Sequence, residues 1–201
     1  MTNLPHVLLA AGTSKRMGKP KQLLRWADKS LIQFQVETIL STTEKLYVIL
    51  GAYVELIEPL LKGYNVEVIR FDKWKKGMGS SLSYGIDQIG HSNSDISGIL
   101  ISLIDQPLVT SSHFLKMRAA FESGTKQIIA SESNSGWKGV PVLFDKYYIN
   151  ELQSLSGEEG AKTILKKNLK NTVLINGGQS LVDMDTPQVY QELFKKFSPQ
   201  S

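Results

Sequence analysis

Short apolar runs alternate with amphipathic stretches along the chain, and this alternation predicts strands and helices that follow one another. The strand-like runs lie at residues 6–9, 46–50, 66–69, 98–103, 127–130, 140–144, 172–175 and 181–184. The run over residues 98–103 is apolar throughout most of its length and rich in isoleucine, which is typical of a strand buried on both faces of a sheet. The helix-like stretches begin at Ser30 or cover residues 54–61, 80–89, 145–153, 158–166 and 187–197.

Local signals support several of the predicted helix starts. Ser30 has Gln33 three residues later, which is the pattern of a capping box. Ser111 or Ser112 is expected to cap a further helix, and Pro187 suits the first position of the last one. Strand–helix units that repeat with short loops predict an α/β fold of three layers, Rossmann-like, with a mainly parallel sheet.

The alternation loosens in the second half of the chain. A length of 201 residues is sufficient for one core of ordinary size. Because no stretch has the composition of a linker, we expect residues 1–201 to form a single domain. Within it, residues 131–171 are predicted to form an insertion or flap at the sheet edge.

Composition excludes several classes of protein. Hydrophobic residues make up 41% of the chain and charged residues 21%, which is typical of a soluble globular protein. The absence of cysteine excludes disulfides and thiolate metal sites, and it fits a reducing compartment such as the cytoplasm. The N-terminus lacks the pattern of a signal peptide, and no apolar stretch approaches the roughly 18 residues of a membrane span. We therefore predict a cytoplasmic protein that does not bind a membrane.

The positive charge of the chain is too small and too scattered to indicate a nucleic-acid partner. The formal net charge is +4. Proteins that bind nucleic acid usually carry a denser basic stripe. A solvated basic surface, with an anionic small molecule as partner, is the simpler interpretation.

The richest chemistry lies in the loop that follows the first predicted strand. Its candidate phosphate-binding residues are Leu9, Ala10, Ala11, Gly12, Arg16 and Lys21. Ligands of open α/β sheets bind outside the carboxyl ends of the strands, and small residues there let phosphate oxygens reach backbone N–H groups. Arg16 and Lys21 supply positive charge for a triphosphate. The loop contains neither a Walker A sequence nor GxGxxG, and its alternative interpretation is a basic surface loop.

Carboxylates follow two other predicted strands. Asp105 comes at the end of the apolar run over residues 98–103, while Asp183 and Asp185 alternate with Met184 and would share one side of a strand. We prefer Asp105 and Asp185 as ligands of Mg²⁺ or Mn²⁺, because such ions take hard oxygen donors. The alternatives are that Asp105 starts a turn and that Asp185 with Thr186 caps the last helix.

A glycine-rich turn before the third predicted helix is a second candidate for nucleotide binding. It comprises Gly77, Met78, Gly79, Ser80 and Ser81. Backbone donors and hydroxyl groups in such a turn are suited to contact the edge of a nucleobase.

Five separated motifs resemble those of the molybdenum cofactor cytidylyltransferases, a MobA-like branch of the Rossmann-like nucleotidyltransferases that includes xanthine dehydrogenase accessory proteins. The first two are Ala-Ala-Gly-x-x-x-Arg-Met-Gly-x-Pro-Lys, which begins at Ala10, and Trp-x-x-Gly-Met-x-Ser-Ser-Leu, which begins at Trp74. The others are the Asp-x-Pro motif at Asp105, the Gly-x-Pro-Val-Leu-Phe strand at Gly139, and Gly-Asp-x-Gly-Ala-Arg at Gly157. In the last motif this chain has Glu158 for Asp and Lys162 for Arg. Both changes preserve charge, but Lys lacks the bidentate fork of Arg.

The resemblance implies roles for particular residues. It makes Lys21 a catalytic cation and Asp105 a metal ligand. The charge of Arg16 and the position of Asp185 near the start of the last predicted helix lead us to add them to these two roles. The resemblance also implies an anionic acceptor beside the insertion. The residues implied in acceptor binding are Gly139, Pro141, Gly157, Glu158, Gly160 and Lys162.

The activity implied by the resemblance is transfer of CMP from CTP to molybdenum-molybdopterin. The products would be molybdopterin cytosine dinucleotide and pyrophosphate, and a xanthine-dehydrogenase-type molybdenum hydroxylase would be the partner that receives the cofactor. Three alternatives stay open on the sequence: use of GTP, a sugar or polyol phosphate as acceptor, and a chaperone that inserts the cofactor without turnover.

Overall fold

Seven strands form the central sheet of the computed structural model, which describes residues 3–92 and 95–197. These strands are β1 (His6–Ala10), β4 (Leu46–Leu50), β5 (Val66–Arg70), β6 (Gly98–Leu103), β7 (Ile128–Ser133), β8 (Lys138–Asp145) and β9 (Thr172–Gly178). Their order across the sheet is β5-β4-β1-β6-β8-β7-β9. Two short strands, β2 (Arg25–Trp26) and β3 (Lys29–Ser30), pair with each other in a separate hairpin.

The sheet is mainly parallel, as the sequence predicts. β1 runs parallel to both β4 and β6, β4 to β5, and β7 to β9. Only β8 runs antiparallel to its two neighbours, β6 and β7. Because β8 lies inside the sheet, the prediction that residues 131–171 form an insertion at the sheet edge is wrong for the part that contains β8.

Seven helices accompany the strands in the described part of the chain. They are α1 (Leu31–Leu40), α2 (Val54–Ile57), α3 (Met78–Ser92), α4 (Ser111–Ala119), α5 (Ile149–Gln153), α6 (Lys162–Lys167) and α7 (Pro187–Phe197). Over residues 3–92 and 95–197, no helix has both the length and the apolar character that crossing a membrane requires.

Several helix boundaries match the sequence signals and others do not. The capping box of Ser30 and Gln33 begins α1. Thr110, rather than either following serine, caps α4, because its side chain accepts a hydrogen bond from the backbone of His113. The helix predicted over residues 158–166 begins only at Lys162. The strand predicted over residues 181–184 is wrong, since a 3-10 helix ending at Leu181 and an irregular segment take its place.

The two faces of the sheet carry separate cores, which makes the fold three-layered. Successive residues of a strand point to opposite faces. On one face Leu8 and Val48 pack with apolar residues of α1, α4 and α7. On the other, Val7 and Ile49 pack with residues of α3, α5 and α6. Helices that cover both faces leave the carboxyl edge of the sheet accessible, and this edge carries the site.

Acid should weaken the fold through His6, which is fully buried in β1. Its Nε2 lies 2.8 Å from the Ser102 hydroxyl. Burial, with a smaller contribution from the positive charge of Arg118, holds the pKa of His6 well below its usual value. Between this lowered pKa and about 6.5 the unfolded chain binds more protons than the folded one. We therefore expect the free energy of unfolding to fall by up to about 1.4 kcal/mol per pH unit as the pH drops below about 6.5.

Urea unfolding between pH 7.5 and 5.5 measures this dependence. The variant His6→Gln should show a weaker dependence than the wild-type chain. His91 is exposed on α3, so His91→Gln serves as the control and should keep the wild-type dependence. Equal dependences for wild type and His6→Gln would show that His6 is not the responsible group.

Candidate active site

The site forms at the carboxyl edge of the sheet, where β1 and β6 end side by side. Their parallel pairing brings the loop after Ala10 next to Asp105, two residues beyond the end of β6. The backbone N–H of Met184 donates a 2.7 Å hydrogen bond to the carbonyl of Asp105. This bond brings Asp183 and Asp185 to the same edge from the far end of the chain.

Two polar side chains shape the loop after β1. The Gln22 amide donates to the carbonyls of Ala10, at 2.7 Å, and Gly12, at 3.1 Å. Ser14 has a left-handed backbone (φ 56°), and its hydroxyl accepts a 3.1 Å hydrogen bond from the Lys21 N–H. These bonds fix the path of the loop from Gly12 to Lys21. Sequence reasoning missed both, and the only signal for Gln22 is a polar residue next to an apolar pair.

A cavity of about 540 Å³ lies above this loop. That volume falls in the usual range for small-molecule sites. The sequence-predicted residues on its wall are Leu9, Ala11, Gly12, Arg16, Lys21, Gly77, Met78, Ser81, Asp105 and Asp185. Three other predicted nucleotide-binding residues, Ala10, Gly79 and Ser80, do not line it. Ala10 is buried beneath the loop.

Lys21 is the electrostatic centre of the cavity. Its Nζ lies 2.5 Å from Asp185 Oδ1 and 3.1 Å from Asp105 Oδ2, and its side chain is only 7% exposed. The Arg16 guanidinium donates to the other oxygen of Asp185 at 2.6 Å. Partial burial acts to raise the pKa of Asp185, but hydrogen bonds and positive charge from Lys21 and Arg16 outweigh it and lower the pKa below its usual value. Asp185 is therefore ionised near neutral pH.

The pair Asp105 and Asp185 has the donor chemistry of a divalent-cation site. Asp105 Oδ1 is buried, and among the described residues it has no hydrogen-bond partner. Hard cations prefer carboxylate oxygens of this kind. Over the described ranges no cluster of three or more His, Cys, Asp or Glu forms a metal site. An ion bound here would need further oxygens from a substrate or from water.

Asp183 lines a different cavity from this pair. Its Oδ1 accepts a 3.0 Å hydrogen bond from the side chain of Gln106. Partial burial, reinforced by the negative charge of Asp105, raises the pKa of Asp183 above its usual value. The prediction that Asp183 and Asp185 share one side of a strand is therefore wrong, because the segment is irregular. The alternative that Asp185 and Thr186 cap the last helix holds for Thr186. Its hydroxyl accepts a 3.3 Å hydrogen bond from a backbone N–H of α7.

The glycine-rich turn packs against the loop before α6. A Cβ at Gly77 would lie 2.3 Å from the Gly157 carbonyl oxygen, and Gly77 has a φ of 102°. The Gly79 N–H donates to the same carbonyl at 2.9 Å, while the Ser80 hydroxyl accepts from the Gly157 N–H at 3.0 Å. Close backbone approach thus explains these glycines. Gly79 and Ser80 make these hydrogen bonds within the protein, and neither residue lines the cavity.

A second cavity, of about 600 Å³, adjoins the first. The two share the residues Leu9, Met78, Leu103 and Glu158. The predicted acceptor-binding residues on its wall are Gly139, Glu158, Gly160 and Lys162. Pro141 and Gly157 do not line it, and the Pro141 carbonyl accepts from the buried Ser131 hydroxyl at 2.7 Å.

Trp137 contributes an aromatic wall that sequence reasoning missed. Its indole lies over Gly139, where an added Cβ would meet a ring carbon at 2.5 Å. The Lys162 Nζ lies 5.2 Å from the ring centre, within the range of a cation–π contact. Lys166 also lines the cavity. The second cavity thus combines an aromatic face with two cations and with the carboxylates of Glu158, Glu159 and Asp183.

The fold and the site together define a nucleotidyltransferase. A parallel sheet presents a small-residue loop, a buried lysine and two carboxylates at its carboxyl edge, as enzymes that handle nucleoside triphosphates do. Residues 6–173 match the family described as the MobA-like NTP transferase domain. The chain belongs to this family.

A curated protein and two solved structures are also similar to this chain. Over 205 residues, the chain is 28% identical to the purine catabolism protein PucB of Bacillus subtilis strain 168, covering 96% of each protein. The crystal structure of Rv0371c from Mycobacterium tuberculosis H37Rv has the same fold, with a TM-score of 0.81, 24% identity and coverage of 96% of this chain and 98% of that one. Rv0371c in complex with manganese aligns with a TM-score of 0.78, 22% identity and coverage of 97% and 100%.

Gly12→Ala should weaken nucleotide binding without weakening the fold. A Cβ at Gly12 would meet no other protein atom within 4 Å, so the protein itself does not require glycine there. Gly12 lines the cavity at the place where we expect a phosphate to approach the loop. We expect the Kd for a nucleoside triphosphate, measured calorimetrically, to rise about tenfold or more, a loss of roughly 1.4 kcal/mol.

The contrast for this variant is Gly51→Ala. A Cβ at Gly51 would lie 2.5 Å from the Cβ of Trp74 and 2.9 Å from the Ala11 carbonyl. This variant should therefore lower the melting temperature, whereas Gly12→Ala should leave it unchanged. Wild-type affinity for the triphosphate in folded Gly12→Ala would place the phosphates elsewhere.

Proposed function

We propose that this enzyme transfers CMP from CTP to molybdenum-molybdopterin, forming molybdopterin cytosine dinucleotide and pyrophosphate. A xanthine-dehydrogenase-type molybdenum hydroxylase would receive the product. The resemblance of five motifs to molybdenum cofactor cytidylyltransferases supports this acceptor. The relative named as a purine catabolism protein supports it too, because oxidation of purines is chemistry of that hydroxylase class.

The observation that carries the proposal is the pair of adjoining cavities. One has the small-residue loop, Lys21 and two carboxylates, and the other has Trp137 with Lys162. The two cavities are adjacent, since they share lining residues that include Leu9 and Met78. Substrates bound in the two cavities would therefore lie end to end. A transferase that joins a nucleotide to a second phosphate compound needs this arrangement.

In the proposed reaction, an oxygen of the acceptor's terminal phosphate attacks the α-phosphorus of CTP. The bond between the α-phosphorus and the oxygen bridging to the β-phosphate breaks, and pyrophosphate leaves. The acceptor phosphate is already anionic near pH 7, so no general base is required. Lys21 and Arg16 offset the negative charge on the triphosphate and on the leaving pyrophosphate. Catalysis then rests on positioning and electrostatic stabilisation.

A divalent cation, Mg²⁺ or Mn²⁺, is the cofactor we propose. Asp105 and Asp185 would hold it, and the unpartnered Oδ1 of Asp105 supports this role. When bound, the ion would neutralise charge on the phosphate oxygens. The manganese complex of Rv0371c supports use of a divalent ion in this fold.

The second cavity suits a planar ring that carries a phosphate. A ring stacked on Trp137 would take the place of the Lys162 ammonium, and Lys162 and Lys166 would offer positive charge beside the carboxylates of the same cavity. A sugar or polyol phosphate would use the lysines but would gain less from the indole. This difference favours a pterin-type acceptor over those alternatives.

Turnover of radiolabelled nucleotides with purified acceptors tests the proposal. We expect label from [α-³²P]CTP to enter molybdopterin cytosine dinucleotide, with release of one pyrophosphate per product. Incorporation from GTP alone would overturn the choice of nucleotide. Transfer only to a sugar or polyol phosphate would overturn the choice of acceptor, and tight cofactor binding without pyrophosphate release would favour the insertion chaperone.

A further inference from the structure

The position between Asp105 and Asp185 is held by a cation of the chain itself. The Lys21 Nζ bonds one oxygen of each carboxylate, at 3.1 and 2.5 Å. Its side chain is almost fully buried. The contact of Lys21 with the two carboxylates is therefore a buried part of the site. The side chain of the neighbouring Arg16, in contrast, is 71% exposed.

Lys21 and a divalent ion cannot share this position. An ion held between the two carboxylates, through either oxygen of Asp105, would sit about 2.0–2.6 Å from the oxygens that bind it. It would then touch the ammonium group of Lys21. Like charges in contact repel strongly where water is largely excluded. Occupation by one cation therefore requires displacement of the other.

The backbone around Lys21 is fixed, which limits the displacement to the side chain. The Lys21 N–H donates to the Ser14 hydroxyl at 3.1 Å, and the next residue, Gln22, anchors the loop to Ala10 and Gly12. The cavity wall on which Lys21 lies also contains Gly12. A triphosphate bound along that wall would offer the ammonium group new anionic partners.

We propose that Lys21 competes with the divalent ion for the Asp105–Asp185 pair, so that the ion binds tightly only when a nucleoside triphosphate draws Lys21 away. Nucleotide and ion then bind interdependently. This inference rests on the proposed use of a divalent ion and a triphosphate, and it adds to them an order of events within the site.

Electron paramagnetic resonance of free Mn²⁺ tests the competition without nucleotide or acceptor. We expect Lys21→Met to bind Mn²⁺ at least about tenfold more tightly than the wild-type chain, because the competing charge is gone. Lys21→Gln, which keeps a hydrogen-bond donor beside the carboxylates, should change in the same direction. Adding Asp105→Asn to Lys21→Met should remove the gain, since the ion then loses a carboxylate ligand.

Lys15→Met is the matched control. Lys15 lines the same cavity, and no ion pair joins it to Asp105 or Asp185 in the described part of the chain. Its loss should change Mn²⁺ affinity by less than about threefold, because exposed charges are screened. Equal affinities for wild type and both Lys21 variants, each shown to be folded by circular dichroism, would overturn the proposal, and so would an equal gain in Lys15→Met. Mn²⁺ affinity is measured without turnover, so failure of the proposed CMP transfer would be seen separately.

Discussion

Lys21→Met should lower kcat for nucleotidyl transfer by about 10²–10³-fold, the usual cost of losing one group that stabilises transition-state charge. Lys21 is the buried cation of the first cavity and is bonded to both candidate metal ligands. Tighter Mn²⁺ binding should accompany slower turnover in this variant. Initial rates of pyrophosphate release at saturating CTP measure the loss.

The control for this prediction is Lys170→Met. Lys170 lies in the 3-10 helix Leu169–Asn171, which lines neither cavity. Its removal changes the net charge of the chain by the same amount and should leave kcat unchanged. Turnover within about twofold of wild type in folded Lys21→Met would exclude Lys21 from the charge stabilisation proposed for it.

The sequence predicts the positions of the strands along the chain better than it predicts which strands lie next to each other in the sheet. The apolar run that became β6 and the proline that begins α7 carry local signals, and both elements lie where predicted. The insertion of β8 between β6 and β7 depends on contacts far apart in the chain, which periodicity does not encode. Leu181 and Met184 are both buried at a spacing of three. That spacing suits the observed irregular segment better than the strand that the alternating aspartates indicated.

The site shows the same division between local and distant signals. Parallel strands share one carboxyl edge, so the meeting of the Lys21 loop with Asp105 follows from the order of motifs. The assignment of Asp183 and Asp185 to different cavities was not predictable, because it depends on the Met184–Asp105 backbone bond. Trp137 carried no motif of its own, and only the tertiary structure brings it over Gly139.

The second large effect is expected from Asp105→Asn. The substitution keeps the shape of the side chain and leaves the backbone bond from Met184 intact, so the fold should persist. It removes the charge of one of the two carboxylates proposed to hold the divalent ion. We expect kcat to fall by about 10²–10³-fold at a fixed Mg²⁺ concentration, and the Mg²⁺ concentration for half-maximal rate to rise.

Asp183→Asn is the matched control, because it makes the same change at a nearby carboxylate that is not proposed to hold the ion. Asp183 is close enough to Asp105 for its pKa to respond to that charge, yet it bonds Gln106 and lines the second cavity. The amide introduced by this substitution would keep an oxygen that can accept from Gln106. The Mg²⁺ dependence should therefore stay as in wild type, while KM for the acceptor changes. If Asp183→Asn shifted the Mg²⁺ dependence and Asp105→Asn did not, the roles proposed for the two carboxylates would have to be exchanged. The ion would then lie in the second cavity, which Trp137 lines, and not in the first.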